Sequence, residues 1–247
     1  MLNPELLHIL RKLSNPALLV GAELSASSGL PNFYEHPNYR PGLNLAGFEL
    51  NPAITWGLQD HIETTINKAT HSVAHIAIAE LSNIFPNLTI YTTDIDSFLL
   101  KAGCRATIHA LYGQIDSYQC QTNSSLQLQP SGLYIPEPCS INSQFDLKQR
   151  LCLKCGGNLR RRLVLDGEPL YGLEEATQVF EQTDGLFVIG INSKVFPANQ
   201  LVSIAARRRI PILELGENPA IQFTAAFSIR GPISQTLPQL VQALQQV

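Results

Sequence analysis

Ala17-Leu-Leu-Val20-Gly21-Ala-Glu-Leu-Ser25-Ala-Ser-Ser-Gly29-Leu-Pro31-Asn-Phe33 is the stretch whose reading decides the fold. Ala17 to Val20 form a short apolar run that stops at a glycine, as a buried strand does when it enters a turn. The serines between Gly21 and Gly29 then mark a turn and loop. The same signature recurs downstream. Leu88-Thr-Ile-Tyr-Thr92, Leu186-Phe-Val-Ile189, Pro211-Ile-Leu-Glu-Leu215 and Phe227-Ser-Ile229 read as further buried strands. Helical spacing lies between them, in Val73, Ala74, Ala77, Ile78 and Leu81, in Leu201, Ile204 and Ala205, and in Leu237, Leu240, Val241 and Leu244. This alternation predicts an α/β protein built on a mostly parallel Rossmann-type sheet with helices on both faces. Such sheets bind ligands beyond the carboxyl ends of their strands, which places Gly21 to Ser28, Thr92 to Asp96 and Gly190 to Ala198 along one crevice.

With 247 residues, 45% hydrophobic and 15% charged, the chain can form one large domain carrying a smaller one. Its formal net charge of −3 gives no general attraction to nucleic acid or to an anionic membrane. The basic runs Arg160 to Arg162 and Arg207 to Arg209 read as solvated faces. Met1 to Asn15 is amphipathic, without an apolar core and cleavage site, and runs such as Leu186 to Ile191 fall far short of the roughly 20 residues of a membrane span. These features predict a soluble, cytoplasmic protein. Gln121 to Gln149, rich in Gln, Ser, Pro and Asn, reads as part of a loop-rich lobe. Five cysteines, two of them in Cys152-Leu-Lys-Cys155, fit a metal site better than a disulfide framework.

The Gly21 to Phe33 loop resembles the nucleotide loop of the sirtuins, Gly-Ala-Gly-Ile-Ser-x-x-Ser-Gly-Ile-Pro-Asp-Phe-Arg. Further matches follow in the family's order: Ala74-His75; Thr92-Thr-Asp-Ile-Asp96 for Thr-Gln-Asn-Ile-Asp; Ala102-Gly103; Leu111-Tyr112-Gly113 for Leu-His-Gly; and Cys152-x-x-Cys155-Gly-Gly for the second zinc pair. Gly167-Glu-Pro-Leu170 and Gly190-Ile-Asn-Ser-Lys-Val-Phe-Pro197-Ala198 continue the series, so the resemblance spans nearly the whole chain. It implies a Rossmann-type large domain of residues 1–33, 79–118 and 165–247. A small lobe of residues 34–78 and 119–164 would have a helical part and a zinc-ribbon-like part. NAD and an acyl-lysine peptide would meet in the cleft, with Gly21, Ala22, Glu23, Ser25, Phe33, Asp96, Gly190 and Asn192 at the cofactor positions. Tyr112 and Asp94 hold the positions of the family's general-base His and its ribose-ordering Asn.

The departures bear on function. Tyrosine, with an ordinary pKa of about 10, is a poor proton acceptor at neutral pH. His109 lies an odd three residues earlier, on the opposite face of an extended segment, and reads as an ordinary polar or partly buried residue. Glu23 replaces a glycine in the phosphate loop and either repels phosphate from the cleft or faces solvent. Asp94 either places a carboxylate beside the ribose or serves as a turn residue. Asn32 and Tyr34 replace Asp and Arg, Thr93 replaces Gln, Ile191 and Asn192 replace Thr and Ser, and Gly216 stands near the place of an Asn that meets the adenosine ribose. Each buried hydrogen bond lost costs about 0.5–1.5 kcal/mol, so NAD, though still open as a cofactor, is expected to be weakly held.

Zinc stays open as well. Cys120, Cys152 and Cys155 match three ligands, but Asn123 stands where the fourth belongs, leaving Cys139 to complete a tetrahedral set or the lobe to be held by packing alone. Cys104 reads as a core residue. Two readings follow: a noncatalytic descendant serving as a binding or assembly module for a protein partner, or a working sirtuin-class enzyme, either a deacylase of acyl-lysine peptides or an altered NAD-consuming hydrolase or transferase. The concentration of departures in the loops of one site, with strand and core patterns intact, favours the first.

Overall fold

The computed structural model describes residues 3–121, 127–129, 132–134, 145–154, 156–191, 198–219 and 227–246. In chain order the strands are β1 (Pro16–Val20), β2 (Thr89–Thr92), β3 (Thr107–Ala110), β4 (Gly113–Gln121), β5 (Gln127–Gln129), β6 (Gly132–Tyr134), β7 (Phe145–Asp146), β8 (Leu151–Cys152), β9 (Asn158–Leu163), β10 (Gly185–Ile189), β11 (Ile212–Gly216) and β12 (Phe227–Arg230). The helices are α1 (Pro4–Leu10), α2 (Glu23–Ala26), α3 (Leu45–Leu50), α4 (Pro52–Asn67), α5 (Val73–Ile84), α6 (Phe98–Lys101), α7 (Leu173–Phe180), α8 (Ala198–Arg208) and α9 (Ile233–Gln245).

Six parallel strands form the main sheet in the order β12-β11-β10-β1-β2-β3. Counted along the chain within that sheet, this is the 3-2-1-4-5-6 order of dinucleotide-binding folds, whose strand order reverses between β1 and β10. The apolar runs explain its interior: every residue of β1, β10 and β11 is buried. Successive side chains then divide between two cores, as a strand period of two requires. Leu18, Val20, Phe187 and Ile189 pack with Ile78 of α5 and Leu237 of α9, whereas Ala17, Leu19, Leu186 and Val188 pack with Phe180 of α7 and Leu201 of α8. The sheet and its flanking helices match the expected fold class. β3 was not among the expected strands; Thr-Ile-His-Ala lacks a continuous apolar run because it lies at a sheet edge, with no fully buried residue.

A second sheet, antiparallel and ordered β4-β9-β8-β7, stands beside α3 and α4. Here the reading of Arg160 to Arg162 as a solvated face fails. Arg160 is 2% exposed, pairs with Glu168 and donates to Gln121 Oε1 at 2.8 Å and the Leu163 carbonyl at 2.6 Å. Arg161 reaches Asp60 at 2.9 Å and Glu63 at 2.6 Å on α4 and the Ile115 carbonyl at 2.7 Å. Buried guanidinium groups persist because each finds carboxylates and carbonyls to match its planar donors. Arg208, in the other basic run, donates to the Phe180 and Thr183 carbonyls. No helix among the described residues is long and apolar enough to cross a membrane.

Candidate functional site

The reversal between β1 and β10 is lined with glycine for steric reasons. A Cβ on Gly21 would sit 2.5 Å from the Gly190 carbonyl oxygen and 2.8 Å from Ile191 Cγ1. Gly190 has φ +58, and a Cβ there would lie 2.5 Å from the Glu23 Cβ. The Gly21 N–H donates to the Ile189 carbonyl at 2.9 Å and that of Glu23 to the Gly190 carbonyl at 3.4 Å, clamping the two loops together. Ala22 precedes α2 in helical conformation without a side-chain cap.

Glu23 is half-buried, between the two readings given for it. Its side chain runs across the end of β10 to β11, where Oε2 accepts the Glu217 N–H at 3.2 Å and lies 3.1 Å from where a Gly216 Cβ would be. Burial raises its carboxyl above the usual range, with the Glu217 and Glu214 charges acting in the same sense, against the Glu217 and Asn218 N–H groups.

Beyond β2, Ser25 joins two carboxyls. Its hydroxyl donates to Asp96 Oδ2 at 2.5 Å, and Asp96 Oδ1 accepts the Phe98 N–H at 2.9 Å, so Asp96 fixes the loop into α6. Asp94 is only 8% exposed, its N–H donates to Thr92 Oγ1 at 3.0 Å, and its Oδ2 has no partner among the described residues. Burial first, then the Asp96 charge, push the Asp94 carboxyl well above the usual range, against hydrogen bonding with Ser25. Asp96 is raised too, chiefly by burial. Protonation of Asp94 is therefore favoured relative to an ordinary carboxyl, and its neutral form would keep the donor and acceptor of an asparagine amide. Thr93 turns back to the Val20 carbonyl through its N–H at 3.1 Å.

Tyr112 packs edge-on against Tyr34, with ring centroids 4.7 Å apart. Tyr34 donates its hydroxyl to the Val164 carbonyl at 2.8 Å, and burial raises both phenol pKa values. The two departures from Arg and His are thus one aromatic contact. Phe33 is buried beside Tyr39, with centroids at 5.1 Å. His109 stacks on Tyr91 at 4.7 Å, with Nδ1 3.8 Å from Glu175, and is accounted for by packing on β3. Cys120 and Cys152, both buried, belong to the core of Leu45, Phe48, Trp56, Leu159 and Leu165, on strands either side of β9. Gly156, with φ +70, returns its N–H to the Cys152 carbonyl at 2.8 Å. Asn192, Cys139 and Cys155 lie outside the described residues.

Sequence reading missed three contacts: Glu23 with Gly216 and Glu217, Tyr34 with Tyr112, and Arg160 with Glu168. A signal existed for the first, since a large residue replaces glycine at 23 while glycine stands at 216.

Residues 21–197 match the model of the Sir2 family. An NAD-dependent protein deacylase of Methylococcus capsulatus is 31% identical, the alignment covering 98% of this chain and 96% of that protein. One from Pyrococcus abyssi is 28% identical with 98% of both covered. Among solved structures, a Sir2 homologue in complex with NAD superposes with a TM-score of 0.81 at 25% identity, covering 100% of this chain and 95% of the other. The matched sequence, running through the glycine-lined crevice, and the shared sheet together make this chain a member of the Sir2 family.

Proposed function

We propose that this chain is a noncatalytic member of the family, retaining the fold as a binding or assembly module, with the domain division drawn from the sequence and a cytoplasmic location. The observation that carries the reading is Tyr112. At the family's general-base position it offers a phenol whose pKa burial raises further, held edge-on against Tyr34, and such a group accepts no proton at neutral pH. An NAD-hydrolysing alternative needs an anion at position 94, whereas burial favours the neutral acid.

The residues present do not fit NAD with Glu23 as it stands, because a carboxylate would adjoin the diphosphate and already takes the Glu217 N–H. Zinc is suited by donor chemistry: two buried thiols, Cys120 and Cys152, flank β9, and the sequence adds Cys155, three residues after one of them, and Cys139, both outside the described residues. Zinc bound there would cross-link the small sheet and take no part in a reaction. The partner proposed is a protein, approached as relatives approach theirs; a Sir2 protein of the same fold has been solved bound to acetylated peptide.

The test is deacylation of an acetyl-lysine peptide by pure protein with NAD. No turnover is expected, nor does Tyr112→His restore it, since Glu23 and Ile191 remain. Clear NAD-dependent turnover by the natural sequence overturns the reading.

A further inference from the structure

Glu23 begins a short helix at the reversal point of the sheet, and its half-buried side chain turns towards the end of β11. Two glycines from distant segments, Gly190 and Gly216, form its socket, and Gly21 two residues earlier brings the loops together. Gly190 leaves space 2.5 Å from the Glu23 Cβ, and Gly216 leaves space 3.1 Å from Oε2. The carboxylate ends on the Glu217 N–H at 3.2 Å, at the carboxyl end of β11. Backbone N–H groups of the loops and helix starts beyond the carboxyl ends of parallel strands are the donors with which such sheets hold the oxygens of a nucleotide. Here the protein supplies the anion itself. The bulk is complementary as well: glycine at 216 leaves the space that the Glu23 side chain fills.

We propose that Glu23 is a resident occupant of the crevice, an internal ligand that excludes the diphosphate of a dinucleotide and is the residue that decides which ligands enter. The proposal rests on the noncatalytic reading for its consequence, a weakened hold on the cofactor, but it concerns binding and not turnover. Two effects act together. The side chain takes up space and a donor, and its charge, beside those of Glu214 and Glu217, opposes a second anion at the same place.

Calorimetric titration with ADP-ribose, comparing the natural sequence with Glu23→Gly, tests it. Glu23→Gly is expected to bind at least about tenfold more tightly, which is 1.4 kcal/mol, without gaining deacylation. Equal affinities of two folded proteins overturn the proposal. Should Glu23→Gly fail to fold, Glu23→Gln keeps the length and removes the charge; tighter binding by several-fold supports the proposal and unchanged binding overturns it. The socket has its own readout. Gly216→Asn should lower Tm by a few degrees in the natural background and not in Glu23→Gly, because only the former has Oε2 in the way; equal losses in both overturn it. Turnover by the natural sequence would end the noncatalytic reading and leave these comparisons standing.

Discussion

At position 94 a carboxyl shares a buried corner with a second carboxyl and one serine hydroxyl. The Ser25 hydroxyl donates to Asp96, and although Ser25 also hydrogen-bonds to the Asp94 carboxyl, Asp94 Oδ2 has no partner among the described residues. Because the folded-state pKa of Asp94 is raised, the unfolded chain releases this proton first as pH rises past about 3.9, and the stability of the fold falls from there upward. Asp94→Asn removes the titration and supplies an amide, so it is expected to stabilise the protein by about 1–3 kcal/mol at neutral pH, with the gain vanishing below about pH 4. Urea unfolding of both proteins at pH 4 and pH 7.5 measures this directly. An equal difference at the two pH values would mean that the asparagine acts through shape, not charge. The identity of the substitution was legible in the sequence, but its protonation was not, since that depends on Asp96, Ser25 and the depth of the corner.

The elements themselves divide by how local their causes are. β1, β10 and β11 were readable because a strand buried on both faces must be apolar throughout. β3 was not, because an edge strand has no such need; at the other edge β12 was expected as a buried strand, and it has no fully buried residue for the same reason. The basic run on β9 misled for the opposite reason: its partners Asp60, Glu63 and Glu168 are remote or belong to another element, and nothing in three consecutive arginines says that carboxylates will meet them. The pairing has a measurable consequence. Arg160 and Glu168 are 2% and 4% exposed, so Glu168→Ala strands a buried cation and should cost about 3–5 kcal/mol in chemical denaturation. Replacing both by apolar residues of similar size should cost much less. If the single and double changes are equally harmful, the loss lies in the Leu165 N–H that Glu168 also accepts, at 2.9 Å, and not in the orphaned charge.

Across the whole molecule the two sheets differ in what holds them. The six-stranded sheet has two extensive cores, one on each face, whereas the small sheet includes strands of two residues and divides its buried side chains between two smaller clusters, one with Ile115 and Leu163 and one with the cysteines. Short strands over small clusters commonly gain from a cross-link. Cys120 and Cys152 are the described residues able to supply one, and they lie in the same cluster as Trp56, the chain's sole tryptophan. Trp56 donates Nε1–H to the Leu159 carbonyl at 2.9 Å and lies 4.3 Å beneath the Arg150 guanidinium, so its emission reports the small lobe and not the large sheet. If zinc joins these thiols to Cys155, a strong chelator under reducing conditions should shift the Trp56 emission while the far-ultraviolet signal of the large sheet and its helices is largely kept. Metal content of the purified protein should then be near one per chain and fall when Cys152 is replaced by serine. Emission that ignores the chelator, in a protein free of zinc, would instead make both cysteines members of an apolar core, and the small lobe would owe its order to Arg160, Arg161 and their carboxylates.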